Sequence, residues 1–187
     1  MSHSDASTEG GVIAQKAESL EVDGVCVGDT VVYAAHGVGR VVARGQQQVG
    51  ETERDCVVVE FAAGLRVTLS LDEAGERLRP VADEKQLEQV RRTLAVKTGG
   101  RDSRWTTRIK ESKAKVAGGR PTDLAELVRD GSRFEVDGAR LSHVERRLYL
   151  QARELLSREI CSARGLEPDE AEAWIEAQIA ASDGNGD

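Results

Sequence analysis

The sequence predicts an α+β chain, a small antiparallel β-barrel followed by an all-α helical bundle. Four or five short β-branched runs, parted by Gly-rich turns, crowd into the stretch ahead of Pro80. After Pro80 no strand pattern recurs, and apolar residues fall at helical spacing instead. Aromatic residues make up only 3% of the 187 positions, so both parts must build their cores from Val, Leu, Ile and Ala.

Residues 1–25 are rich in Ser, Gly, Ala and acids and are expected to be a disordered acidic extension, with at most a nascent helix over 14–20. The barrel occupies 26–82. Its first two strands are the runs 30–33 and 40–43, separated by a Gly-rich turn at 36–39. The polar segment 46–54 reads as a connection and 55–61 as a Val-rich strand. The stretch 65–71 alternates, with Leu65, Val67, Leu69 and Leu71 on one face and Arg66, Thr68 and Ser70 on the other, a polar series continued by Asp72.

The bundle spans 83–181, with a frayed tail over 182–187. Leu87, Val90 and Leu94 mark a helix over 84–96, which Gly99 and Gly100 break. Asp102 or Ser103 can cap a second helix running through Val116, with Trp105, Ile109, Ser112 and Val116 on one face. Gly118 and Gly119 end it, and Pro121 opens a short third helix. Residues 131–140 read as a loop. Ser142 and Glu145 form a capping box for a long helix that puts Val144, Leu148, Ala152, Leu155, Leu156 and Ile160 on one stripe. Pro168 starts the last helix, where Trp174 is expected in the core with Ile175 and Ile179.

Enzymatic function finds no support. His3, His36 and His143 fall in a tail, a turn and a capping box, His36 reading as a turn residue whose ring bonds nearby backbone. No His/Cys/Asp cluster has metal-ligand spacing, and no Ser or Cys sits in a nucleophile motif. The HGVGR segment joins two strands rather than a strand and a helix, and it lacks the third glycine of a dinucleotide loop. No cofactor, metal or small-molecule substrate is expected. Cys26, Cys56 and Cys161 are widely spaced and odd in number, as for buried thiols in a reducing cytoplasm. No apolar run reaches membrane-spanning length, and the first residues lack a signal-peptide pattern.

One stretch is anomalous. Residues 91–120 hold ten Lys or Arg against two acids, a local charge of +8 in a chain whose total is −7. Trp105 sits in its middle. A basic helix with one large flat apolar side chain suits the gripping of a phosphate backbone and wedging into a groove. The same residues also fit a core tryptophan beneath a solvated basic face, the pattern of a protein-binding adaptor that touches no DNA.

The ordered motifs resemble a known family. VGDTVVYAAHGVGRV resembles the opening of the CarD/CdnL family, whose first domain is shared with the polymerase-binding module of the transcription-repair coupling factor. The likeness continues through LRVTLSLDEA, LRPV, SRWTTRIKESKAKVAGGR, LAELVRD and LSHVERRLYLQARELLSREI, roughly residues 27–180. The resemblance implies a Tudor- or SH3-like barrel that docks on the β subunit of bacterial RNA polymerase. It also implies a helical domain that reaches promoter DNA at the upstream fork of the bubble and stabilises the open complex. Trp105 matches the family's minor-groove wedge, and Arg108 and Lys110 match basic positions after it. With Arg101, Arg104 and Lys113 from the same run they make up the expected DNA-facing set. On the barrel, Thr68 and Gln47 fall where some relatives carry polymerase-contacting arginines, and Arg66 shares the strand face of Thr68. The chain departs from the pattern at Ala34 and Ser70, where Pro is usual, and at Thr107, where a DNA-contacting Arg is common.

Overall fold

The first half is organised by a set of residues that all point into one small core. Val31, Val41, Val57, Val59, Phe61, Leu69 and Leu78 are buried together. In the computed structural model, which describes residues 24–34, 36–49, 52–97, 104–136 and 141–181, they come from five strands: β1 (Thr30–Tyr33), β2 (Gly37–Val49), β3 (Thr52–Phe61), β4 (Arg66–Ser70) and β5 (Leu78–Pro80). All neighbours pair antiparallel, in the order β4-β3-β2-β1-β5. The expected α+β architecture is present, but the sheet is open and not a closed barrel. Its edges, β4 and β5, are bridged by a short helix, α1 (Leu71–Arg77), held by a capping box between Ser70 and Glu73. A three-residue β5 ending in Pro80 has little ladder with which to close the sheet.

Two further expectations change. The polar segment 46–54 is not a connection but the continuation of β2 and β3, paired from Gln46↔Asp55 to Val49↔Thr52. Every described side chain from Val42 to Gln48 and from Thr52 to Asp55 is exposed, so this ribbon extends past the core and needs no apolar face. That is why no hydrophobic alternation announced it. A bulge at Val42 shifts the register where the ribbon leaves the core. The strand expected over 65–71 also stops at Ser70, because Leu71 opens α1. The His36 ring packs against Tyr33 and Phe61, with centroids 5.2 and 5.4 Å away.

The second half has its own core of Leu, Val, Ile and Ala side chains. Its helices are α2 (Glu84–Ala95), α3 (Trp105–Gly118), α4 (Pro121–Val136), α5 (His143–Arg164) and α6 (Pro168–Ala181). The apolar spacing read from the sequence is the buried face: Leu87, Val90 and Leu94 on α2, and Leu148, Ala152, Leu155, Leu156 and Ile160 on α5. Each fully buried Leu or Ile contributes about 1.5–3 kcal/mol. The capping box of α5 forms as expected, with Glu145 N donating to Ser142 Oγ and Glu145 Oε2 accepting from Ser142 N. Helix α4 continues through Gly131 to Val136 where a loop was expected. The glycine is kept there because Tyr149 of α5 packs directly over it. Trp174 is only partly buried, and the Arg164 guanidinium covers its ring at 4.9 Å. The expected extensions over 1–25 and 182–187 lie outside the described residues, apart from 24 and 25.

Candidate functional site

Helix α3 carries four of the run's ten Lys and Arg residues, and its geometry decides which of them are displayed. Ile109 and Val116 face the core. Trp105 sits on the same stripe one turn before Ile109, at the helix end, and the residue is 48% exposed. The helix begins after Arg104, whose side chain makes no capping hydrogen bond. Asp102 and Ser103, the expected caps, lie outside the described residues, as does Arg101 of the expected DNA-facing set.

The indole is not loose. Its Nε1 donates to Ser142 Oγ at 3.3 Å, and Ser142 is the N-cap of α5. Glu145, the other half of that capping box, accepts from Arg108 at 3.2 Å through Oε1. One capping motif on α5 thus anchors both the tryptophan and the first arginine after it. Arg108 is partly buried against Glu145, so part of its charge is spent within the fold.

Much of the +8 is compensated in the same way by acids that lie outside the run. Arg91 and Arg92 share Glu88, whose carboxyl is pulled down to about 2 by hydrogen bonds from Arg91 and then Arg92. Lys115 pairs with Glu126 at 2.6 Å and Arg120 with Asp123 at 2.8 Å. Arg104, Lys110 and Lys113 stay exposed, with no ion pair to a described residue. Lys110 and Lys113 are three positions apart, on the outward stripe that also holds Thr106. Sequence reading missed a second contribution: His143, Arg146 and Arg147 are exposed on the first two turns of α5, immediately beyond Ser142. The paired arginines were the available signal, but only the fold brings the start of α5 to Trp105, through Ser142.

The other expected set lies on the sheet. The register Glu60↔Arg66, Val58↔Thr68 and Gln47↔Arg54 places Arg66, Thr68 and Gln47 on one face. Thr68 and Gln47 are four residues apart along β3, roughly 13 Å at strand rise. All three are exposed. Arg66 is pinned to Glu60 by hydrogen bonds of 2.8 Å, a surface pair of small energetic weight.

Among the described residues no group of acids, His and Cys could hold a metal ion, and no helix is long and apolar enough to cross a membrane. Residues 26–82 match the family model described as the CarD-like/TRCF RID domain, and residues 89–176 match the CarD C-terminal domain.

The chain belongs to the CarD family.

It is therefore an RNA polymerase-interacting transcription regulator built from interaction domains of non-catalytic families. In this CarD-family chain the sheet carries the match to the CarD-like/TRCF RID domain, and the bundle, which holds Trp105, carries the match to the CarD C-terminal domain.

Proposed function

We propose that the protein works as a polymerase-tethered wedge. The sheet module, 26–82, grips the polymerase β subunit through the face bearing Arg66, Thr68 and Gln47. The bundle, 83–181, sets Trp105 into the minor groove at the upstream fork of the promoter bubble, in the cytoplasm of a bacterial cell. Arg104, Lys110 and Lys113 hold the phosphate backbone beside it, with Arg101 and Arg108 completing the set.

The observation that carries this reading is the half-exposed indole, anchored by its N–H to the Ser142 cap and flanked by cations that carry no ion pair among the described residues. A ring that inserts into distorted DNA more readily than into intact duplex stabilises the melted state by that difference alone. Backbone contacts add affinity without sequence information. With an overall charge of −7, the chain is repelled by DNA at long range, so the polymerase must supply the encounter by raising the local concentration of the wedge.

Two outcomes separate the modules. Lys110→Ala should weaken fork-DNA binding equally across sequences and flatten the salt slope by about 0.9, one phosphate's worth. Arg108→Ala should flatten it by less, since Glu145 already holds that guanidinium. A sequence-selective loss in either variant would contradict a backbone role. Arg66→Glu sets a second carboxylate beside Glu60 and should cut retention on RNA polymerase about tenfold while fork-DNA binding is unchanged. If both activities fall together, the division of labour is wrong.

A further inference from the structure

Two modules that engage one assembly must hold a defined pose, and the fold contains a buried charge placed to set it. Glu159, on the inner side of α5, is 2% exposed and is the one buried carboxylate among the described residues. Its Oε2 accepts from Arg79 at 2.8 Å, and its Oε1 accepts from both Arg79 and the Ala82 backbone N–H, the latter at 3.0 Å. Arg79 lies in β5, paired with Val32 of the sheet. The same guanidinium donates to the Gly119 carbonyl, at the end of α3, at 2.7 Å.

One ion pair therefore joins four segments: the edge strand of the sheet, the 81–83 link, the spine helix α5 and the C-terminus of the helix that begins at Trp105. The packing around it leaves no slack. A Cβ on Gly119, whose φ is +59°, would lie 2.7 Å from Ala34 Cα, and one on Gly37 would lie 2.9 Å from Leu155 Cδ2. Well-packed apolar residues would stabilise such an interface at least as well as a buried pair. What a bidentate guanidinium–carboxylate fork adds is direction, because both hydrogen bonds survive in one orientation only.

We propose that Arg79 and Glu159 are positioning residues that lock the polymerase-interacting sheet to the Trp105-bearing bundle. Docking on polymerase then delivers the indole at a fixed offset. A chain that swings about the short 81–83 link would spread the wedge over a larger volume and lower its effective concentration at the fork. This consequence at promoters rests on the tethered-wedge reading, whereas the lock itself does not.

The test introduces spin-labelled non-canonical residues at Gln48, on the β2–β3 ribbon, and at Ala177, on α6, in the full-length chain. It reads the label-to-label distance distribution beside retention on RNA polymerase, fork-DNA affinity and open-promoter lifetime. The parent chain should give one narrow distance; a broad distribution there overturns the lock directly. Glu159→Gln removes the charge at nearly constant shape, and Arg79→Lys keeps the charge but loses the fork, so either carries the test if the other does not fold. Each should broaden the distribution, leave polymerase retention and fork affinity within about twofold, and shorten open-promoter lifetime about tenfold. A general loss of folding would instead depress all three activities together. Variant distributions as narrow as the parent's, or a parent-like lifetime despite a broad one, refute the positioning role. If the parent chain does not lengthen open-promoter lifetime at all, the tethered-wedge reading fails and the distance measurement alone decides the lock.

Discussion

Trp105→Ala gives a folded protein of near-parent stability that no longer prolongs the life of open promoters. The stability half follows from burial. Truncating a fully buried Trp costs about 3–5 kcal/mol. Trp105 is about half exposed and its N–H bonds Ser142, so a loss nearer 1 kcal/mol is expected, read as a small shift in the thermal melt. The functional half follows from stacking. An aromatic ring against a base is worth about 1–3 kcal/mol, which predicts a roughly 5- to 150-fold drop in affinity for forked DNA. Trp105→Phe keeps the flat ring but loses the N–H, so it should retain part of the activity with a less fixed ring. A large stability loss with unchanged fork binding would instead make Trp105 a structural anchor and the protein an adaptor without DNA contact.

Gly131→Ala is the substitution expected to damage the fold most for its size. In an exposed helix interior this change adds about 1 kcal/mol of stability. At this position in α4 the new Cβ would sit 2.2 Å from Cδ2 and 2.7 Å from Cγ of Tyr149. The ring cannot simply retreat. Its hydroxyl lies 3.1 Å from Ser132 Oγ and accepts from Arg153 at 2.9 Å, and Arg153 is itself tied to Glu172 and Glu176 of α6. Overpacking costs roughly 1–3 kcal/mol, and loss of the hydroxyl's bonds about 1 kcal/mol each. The clash wins over propensity, and urea denaturation should show a net loss of about 2 kcal/mol or more. The double variant Gly131→Ala/Tyr149→Leu should recover part of that loss. A single Gly131→Ala variant more stable than the parent would show that the ring has room to move.

These two positions also mark where the sequence was readable. Helical spacing identified the buried faces of α2 and α5, and the Ser142–Glu145 box was visible because a cap and its partner sit three residues apart. Local signals of that kind survive folding. Gly131 stands at the head of a stretch that reads as a loop, and what keeps it inside a helix is a ring 18 positions further along the chain. The β2–β3 ribbon went unseen for a related reason: it extends beyond the core, so no burial pattern marks it.

The candidate site shows the same division. Composition announced a basic run with a tryptophan but left open whether that tryptophan, about half exposed in the fold, was core or displayed. It could not show which charges remain displayed, because Glu88, Asp123, Glu126 and Glu145 lie outside the run, or at its edge, and meet their partners only in the fold. The start of α5, which bears Arg146 and Arg147, is joined to Trp105 by the same route, through the Ser142 cap. Glu159 drew no notice on a helix rich in charge, and its burial against Arg79 depends on contacts that join residues 80 positions apart.

The central claim is that the indole meets DNA at the edge of the bubble while the sheet holds polymerase. Replacing Trp105 with a photoreactive benzoylphenylalanine and irradiating polymerase–promoter open complexes tests that contact in place. Crosslinks to DNA are expected only at the upstream fork, and Arg66→Glu, which weakens docking about tenfold, should reduce them in proportion. Crosslinks to protein alone, or to DNA scattered along the duplex without regard to the bubble, would contradict it.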